Sequence, residues 1–126
     1  MQFQPDLNPN SNTITAIDET AIFVNGLAHA SSLLVAPEGE LTAITATDTA
    51  DLSDLLWQSV IAQSPEVLLI GTGAKQQFLP PAQLAALYQA GIGVECMASG
   101  AAARTYNVLM SEGRRVLALI LLPTAI

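Results

Sequence analysis

Apolar and polar positions follow two different rhythms along this chain, and the change falls before its middle. Residues 1–12, MQFQPDLNPNSN, are polar, contain Pro5 and Pro9, and read as a flexible N-terminal arm. The stretch that follows, TITAIDETAIFVNGLAHASSLLVAP, has strand composition broken by turn residues. Ile14 and Ile17 bracket a short strand, Asp18-Glu19-Thr20 is a turn, and residues 21–24 form a second strand. Asn25-Gly26 is a strong hairpin signal, because both residues tolerate positive φ. A third strand is predicted over about 27–35, stopped by Pro37, which completes a three-stranded antiparallel meander. Residues 41–46 add a fourth short strand.

The spacing then turns helical. Thr49 or Asp51 caps a helix running to about residue 63, with Leu52, Leu55, Leu56, Ser59 and Val60 on its apolar face. Ser64-Pro65 ends it. EVLLI, 66–70, is a short continuous apolar run, the pattern of a strand buried on both faces. After the loop GTGAKQQFL, Pro80-Pro81 opens a helix with Leu84, Leu87 and Tyr88 along one side, closed by Gly91. IGVECM, 92–97, is the next buried strand. Ser99 caps a helix to about residue 112, Gly113 stops it, and 115–122 is the last strand. Helices alternating with strands give parallel pairing. The predicted fold is therefore three-layer α/β. It has a mixed, mainly parallel central sheet with helices packed on it, and an N-terminal antiparallel β-meander. Residues 13–126 form one domain.

Composition narrows the function. With 51% hydrophobic and only 12% charged residues, the chain can bury a sizeable, mostly aliphatic core. A net charge of −7, from 11 acids against 4 Lys and Arg, argues against nucleic acid and against docking on anionic lipid. Eight of the acids and no Lys or Arg lie in residues 1–63, so any anion site must take its side-chain charge from the second half. The longest apolar run, 116–122, is far short of the roughly 20 residues a membrane-spanning helix needs, which predicts no membrane insertion. Cys96 is the only cysteine, and no signal peptide is visible, which suits a cytoplasmic location. With one His and one Cys, a His/Cys metal site is excluded, and no cofactor is expected.

Two features should meet where parallel strands 66–70 and 92–97 end. Gly71-Thr72-Gly73 leaves the first, and the helix beginning at Ser99 and Gly100 leaves the second. Ligands of open α/β sheets favour this edge, and a helix N-terminus offers N–H groups to an anion. Gly71, Thr72, Gly73, Ser99, Gly100, Arg104 and Asn107 are the candidate ligand-binding residues; no catalytic residue is assigned. The GTG run is neither a dinucleotide fingerprint nor a Walker loop, since Gln76 stands where each would need another residue type. It also reads simply as a tight strand exit. On the helix, Ala102, Thr105, Tyr106 and Leu109 should face the core, with Thr105 bonding back to a carbonyl of its own helix. Gly100, Arg104, Asn107 and Ser111 form a polar stripe, either solvated or set to orient a carboxylate or a partner's backbone.

PEVLLIGTG (65–73), GIGVECMASGAAARTYNVLMSEGRRV (91–116) and SLLV-x-P (32–37) resemble a family of small domains of unknown function found in bacteria and archaea. That family includes the mitochondrial NADH dehydrogenase (complex I) assembly factor 3. The resemblance spans about residues 13–122 and implies a three-layer α/β fold. It implies no established reaction; the mitochondrial relative acts by binding partner proteins. The family commonly reads Met-Asp-Thr at the helix start and Cys before Arg-Thr-Tyr-Asn. Here Met97-Ala98-Ser99 and Ala103 stand instead, which removes the groups a redox or acid–base role would use. The expected function is a non-enzymatic interaction or assembly-factor-like module with an unidentified protein partner. The alternative is a small-anion-binding protein or uncharacterised enzyme with its site between residues 71–73 and 99–104. A homodimer is a third possibility.

Overall fold

The Asn25-Gly26 turn forms as expected, with Asn25 at φ 51° and Gly26 at φ 82°. It joins β2 (Ile22–Val24) to β3 (Leu27–His29), and β1 (Ile14–Ile17) pairs antiparallel on the other side of β2. In the computed structural model, which describes residues 11–123, these strands make a separate three-stranded sheet. The preceding turn is tied by Asp18, whose carboxylate accepts from the Thr20 amide, the Thr20 hydroxyl and the Ala21 amide. Those bonds hold its pKa below the usual value, the Thr20 amide most of all.

The single strand expected over 27–35 is two strands. The chain bends at Ala30-Ser31, and β4 (Ser32–Val35) enters a different, five-stranded sheet. The composition of the two pieces explains the break. Leu27 and Ala28 are exposed, whereas every residue of β4 is buried, so the two pieces serve different layers. β5 (Thr42–Ile44) pairs antiparallel with β4 and forms one edge. β6 (Val67–Gly71), β7 (Gly93–Met97) and β8 (Val116–Ile120) complete the sheet in the order β5-β4-β8-β6-β7. β6 is parallel to both its neighbours, and β4 is antiparallel to β8. The central sheet is thus mixed, with helices on both faces.

One face carries α1 (Asp54–Ala62) and α2 (Ala85–Gln89), packed over Leu34, Leu68, Ile70, Leu117 and Leu119. The other carries α3 (Ser99–Ser111) and the small sheet, over Leu33, Val35, Leu69, Ala118 and Ile120. The helix expected from 49 or 51 starts later. Residues 49–51 form a 3₁₀ turn capped by Asp48, Leu52 is extended and buried, and α1 begins after Ser53. Because Leu52 fills the core from that break, the helical phase shifts. Trp57 and Val60 face inward, Ser59 is exposed, and Leu55 is 74% exposed, contrary to the expected face. Trp57 Nε1 donates to the Gln83 carbonyl at 2.8 Å and so ties α1 to the segment before α2. Pro81–Leu84 is a 3₁₀ turn that runs into α2, and Tyr88 points outward, half exposed, rather than lining the inner side.

The expected arm lies mostly outside the described residues. Its last residue, Asn12, donates through its amide group to the carbonyls of Ala36 and Gly39, and its backbone N–H donates to that of Pro37.

Candidate functional site

The carboxyl ends of β6 and β7 lie side by side, with Gly71 opposite Met97. The chain leaving β6 is held there by a dense set of bonds. The Thr72 amide donates to the Met97 carbonyl at 2.8 Å. The buried Thr72 hydroxyl lies 2.7 Å from the Lys75 carbonyl and 3.1 Å from that of Met97, and it accepts from the Gln77 amide. Thr72 thus folds residues 72–77 into a closed loop.

Ser99 is the second anchor. Its hydroxyl accepts from the Gly73 amide at 2.9 Å and donates to the Leu121 carbonyl at 2.6 Å, while its own N–H donates to the Gly73 carbonyl. The expected cap is therefore displaced: Ala98 holds the N-cap position, and the Ser99 side chain makes no cap bond. The hydroxyl is instead aimed at the Gly73 amide and the Leu121 carbonyl, which ties the β6 exit to the β8 exit. Gly71 makes this approach possible. A Cβ there would sit 2.9 Å from Ser99 Cα and Oγ, closer than real contacts allow. Ser32, which the sequence did not single out, repeats the device on the far side, accepting from the Leu122 amide at 3.0 Å. Its only sequence signal is a polar residue opening the buried run SLLV.

Along α3 the polar stripe divides. Asn107 pairs both ways with the backbone of Ile14: its Oδ1 accepts from the N–H at 3.1 Å and its Nδ2 donates to the carbonyl at 2.8 Å. The segment it orients belongs to this chain and is neither a carboxylate nor a partner's backbone. Tyr106, fully buried, donates to the Asn12 carbonyl at 2.6 Å. Thr105 reaches the Met97 sulfur at 3.6 Å instead of bonding back within the helix, because the start of α3 lies directly over the end of β7.

Arg104 and Gly100 turn toward the β6 exit. Together with Ile17, Gly73, Ala74, Ala98, Ala101 and Pro123 they line a concavity of about 290 Å³. Of the seven candidate residues, the structure brings Gly73, Gly100 and Arg104 around this space. Gly71, Thr72 and Ser99 do not line it; they fasten the β6 exit through internal bonds, and Asn107 is engaged elsewhere. Ile17 and Pro123 are lining residues that no local motif marks; they arrive from the small sheet and from beyond β8. The Cys96 thiol is pushed up by burial, against a hydrogen bond from the Leu79 backbone. A raised thiol pKa disfavours the thiolate that nucleophilic or metal-binding chemistry needs. Among the described residues, no three His, Cys, Asp or Glu side chains cluster as a metal site. No helix among them is long and apolar enough to cross a membrane.

The family model described as a protein of unknown function (DUF498/DUF598) matches residues 14–121. A crystal structure of a Bordetella parapertussis protein is 43% identical with a TM-score of 0.82, over 88% of this chain and 95% of that one. The solution structure of a Bordetella pertussis protein described as an Mth938-like domain is 34% identical with a TM-score of 0.83, covering 98% and 94%. A Francisella tularensis protein described as a 13 kDa major membrane protein is 44% identical over 63 residues. That match spans 49% of this chain and 50% of the Francisella protein, so about half of each is compared.

Proposed function

The chain belongs to the DUF498/DUF598 family of proteins of unknown function, and from that premise we propose that it acts as a non-enzymatic protein-interaction module. The observation that carries this reading is Phe78. It is 84% exposed, yet it stands in a segment fastened on both sides. Gln76 Nε2 donates to the Cys96 carbonyl, the Gln77 amide donates to Thr72, and Leu79 is buried in the core under α2. A phenyl ring held in water on a fixed support forgoes about 1.5–3 kcal/mol of burial, which a partner surface could recover. The resemblance to the complex I assembly factor supports an assembly-type role, since that relative works by binding other proteins. A cytoplasmic location rests on the lone thiol, and the Francisella relative's description sets a membrane-associated location against it.

The test is a photo-cross-linking residue at position 78 in the protein's own cells, with fractionation of the product. A discrete cross-linked protein is expected at 78 and not at exposed Glu19. Labelling of neither position above background would sink the reading, and the fraction holding the product reports the compartment.

A second reading is favoured by the convergence of Arg104, Gly73 and Gly100 on one concavity beside the start of α3. A small carboxylate or phosphate would there meet a guanidinium and first-turn amides. Acetate, succinate and inorganic phosphate should each be scanned by thermal melting. At least one is expected to raise Tm, and Arg104→Ala should remove that rise. An equal rise in the variant contradicts the site.

A further inference from the structure

β7 is an edge of the central sheet, and its hydrogen-bonding alternation is known at both ends. Gly93 N–H donates to Glu66, and the Met97 carbonyl accepts from Thr72, both toward β6. By the two-residue period of a strand, Glu95 also faces β6, while the backbone groups of Val94 and Cys96 face outward. Gln76 covers the Cys96 carbonyl at 3.0 Å. Among the described residues, none pairs with the Val94 N–H, the Val94 carbonyl or the Cys96 N–H. The opposite edge, β5, is only three residues long; β7 offers five.

We propose that the β7 edge accepts an extended segment of a partner protein as a sixth strand, with a basic residue placed across from Glu95. This deepens the interaction reading by naming where and what it binds. Three outward backbone groups supply the ladder, and the Gln76–Leu79 segment beside Cys96 presents Phe78 at the strand's end. Charge selects the occupant. Glu95 is exposed at the centre of the strand, and the chain carries −7. If a second copy paired its β7 so that Val94 met Cys96, Glu95 would stand directly across from its own counterpart. Like charges opposite one another in a ladder are destabilising, and a Lys or Arg there is favourable. The edge therefore disfavours self-pairing and selects a basic strand.

The probes are two capped seven-residue peptides, threonines flanking Val-Lys-Val or Val-Glu-Val, added to the full chain at up to millimolar concentration. Amide hydrogen exchange is the readout. In the free protein Val94 and Cys96 should exchange fast while Gly93 and Glu95 are protected. The Lys peptide should slow Val94 and Cys96 by about tenfold or more, and the Glu peptide should not. Glu95→Lys should invert that preference. Val94→Pro, which removes an outward N–H the sheet does not use, should abolish the Lys peptide's protection of Cys96 in a protein that still folds. If that variant fails to fold, the Glu95→Lys inversion decides. No protection with either peptide, equal protection by both, or protection in the free protein that grows with its own concentration would each overturn the proposal. The last result would identify a second copy as the occupant. Cross-linking at Phe78 that survives Glu95→Lys would leave the interaction reading standing while removing the edge.

Discussion

Ser99 shows how much one hydroxyl can organise when it is fully buried. It links the exits of β6 and β8. Removing it leaves the Gly73 N–H and the Leu121 carbonyl without that partner in a region water does not reach. An unsatisfied buried group costs about 1–3 kcal/mol, whereas an exposed hydroxyl costs little. Ser99→Ala should therefore lower unfolding free energy by about 1–3 kcal/mol in urea titration. Ser111→Ala, which loses only an exposed local bond to Val108, should stay within about 0.5 kcal/mol of the parent. Equal effects would mean that Ser99 does not anchor the loop. From sequence, Ser99 reads as a cap because Ser beside a helix start is most often one. That preference is local, and what displaced it comes from residues 73 and 121. Asn107 differs in kind: its position on a polar stripe is readable, but its partner, Ile14, lies 93 residues away.

At the scale of elements, legibility follows burial. β6 and β8 are apolar runs, deeply buried, with Pro65 before one and Gly113 before the other, and both fall within a residue or two of expectation. β1, β2 and their turns were readable because Asn25-Gly26 and Asp18 do locally what such residues do in isolation. The failures cluster where one element changes layers. Residues 27–35 look like one strand because Leu and Ala persist across the bend, and nothing nearby reveals that Leu27 is exposed while Leu33 is core. Likewise Leu52 fits a helical stripe with Leu55 and Leu56 only if the helix includes it. Once Leu52 is drawn into the core in extended form, Trp57 becomes the pivot and Leu55 faces water. The candidate site inherits this pattern. Gly73, Gly100 and Arg104, on elements with clear ends, were found together. Ile17 and Pro123, brought by topology, were not.

For the whole molecule, the central sheet divides one hydrophobic interior into two. β8 and the residue after it serve both: Val116, Ala118 and Ile120 pack toward α3 and the small sheet, while Leu117, Leu119 and Leu121 pack toward α1 and α2. β6 does the same with Leu69 on one side and Leu68 and Ile70 on the other. Neither face can lose its packing without exposing strands that the other needs, so the two should unfold as one cooperative unit. Trp57, buried on the α1 side, is the only tryptophan and reports that face alone. Ile120→Ala opens a cavity on the opposite face and should cost about 2–5 kcal/mol. Because the sheet couples the faces, the Trp57 fluorescence midpoint in urea should fall together with the far-UV circular dichroism midpoint, by the same amount. A tryptophan transition left in place while dichroism shifts would show that the faces melt separately. The β7 edge and the Arg104 concavity would then rest on different cooperative units.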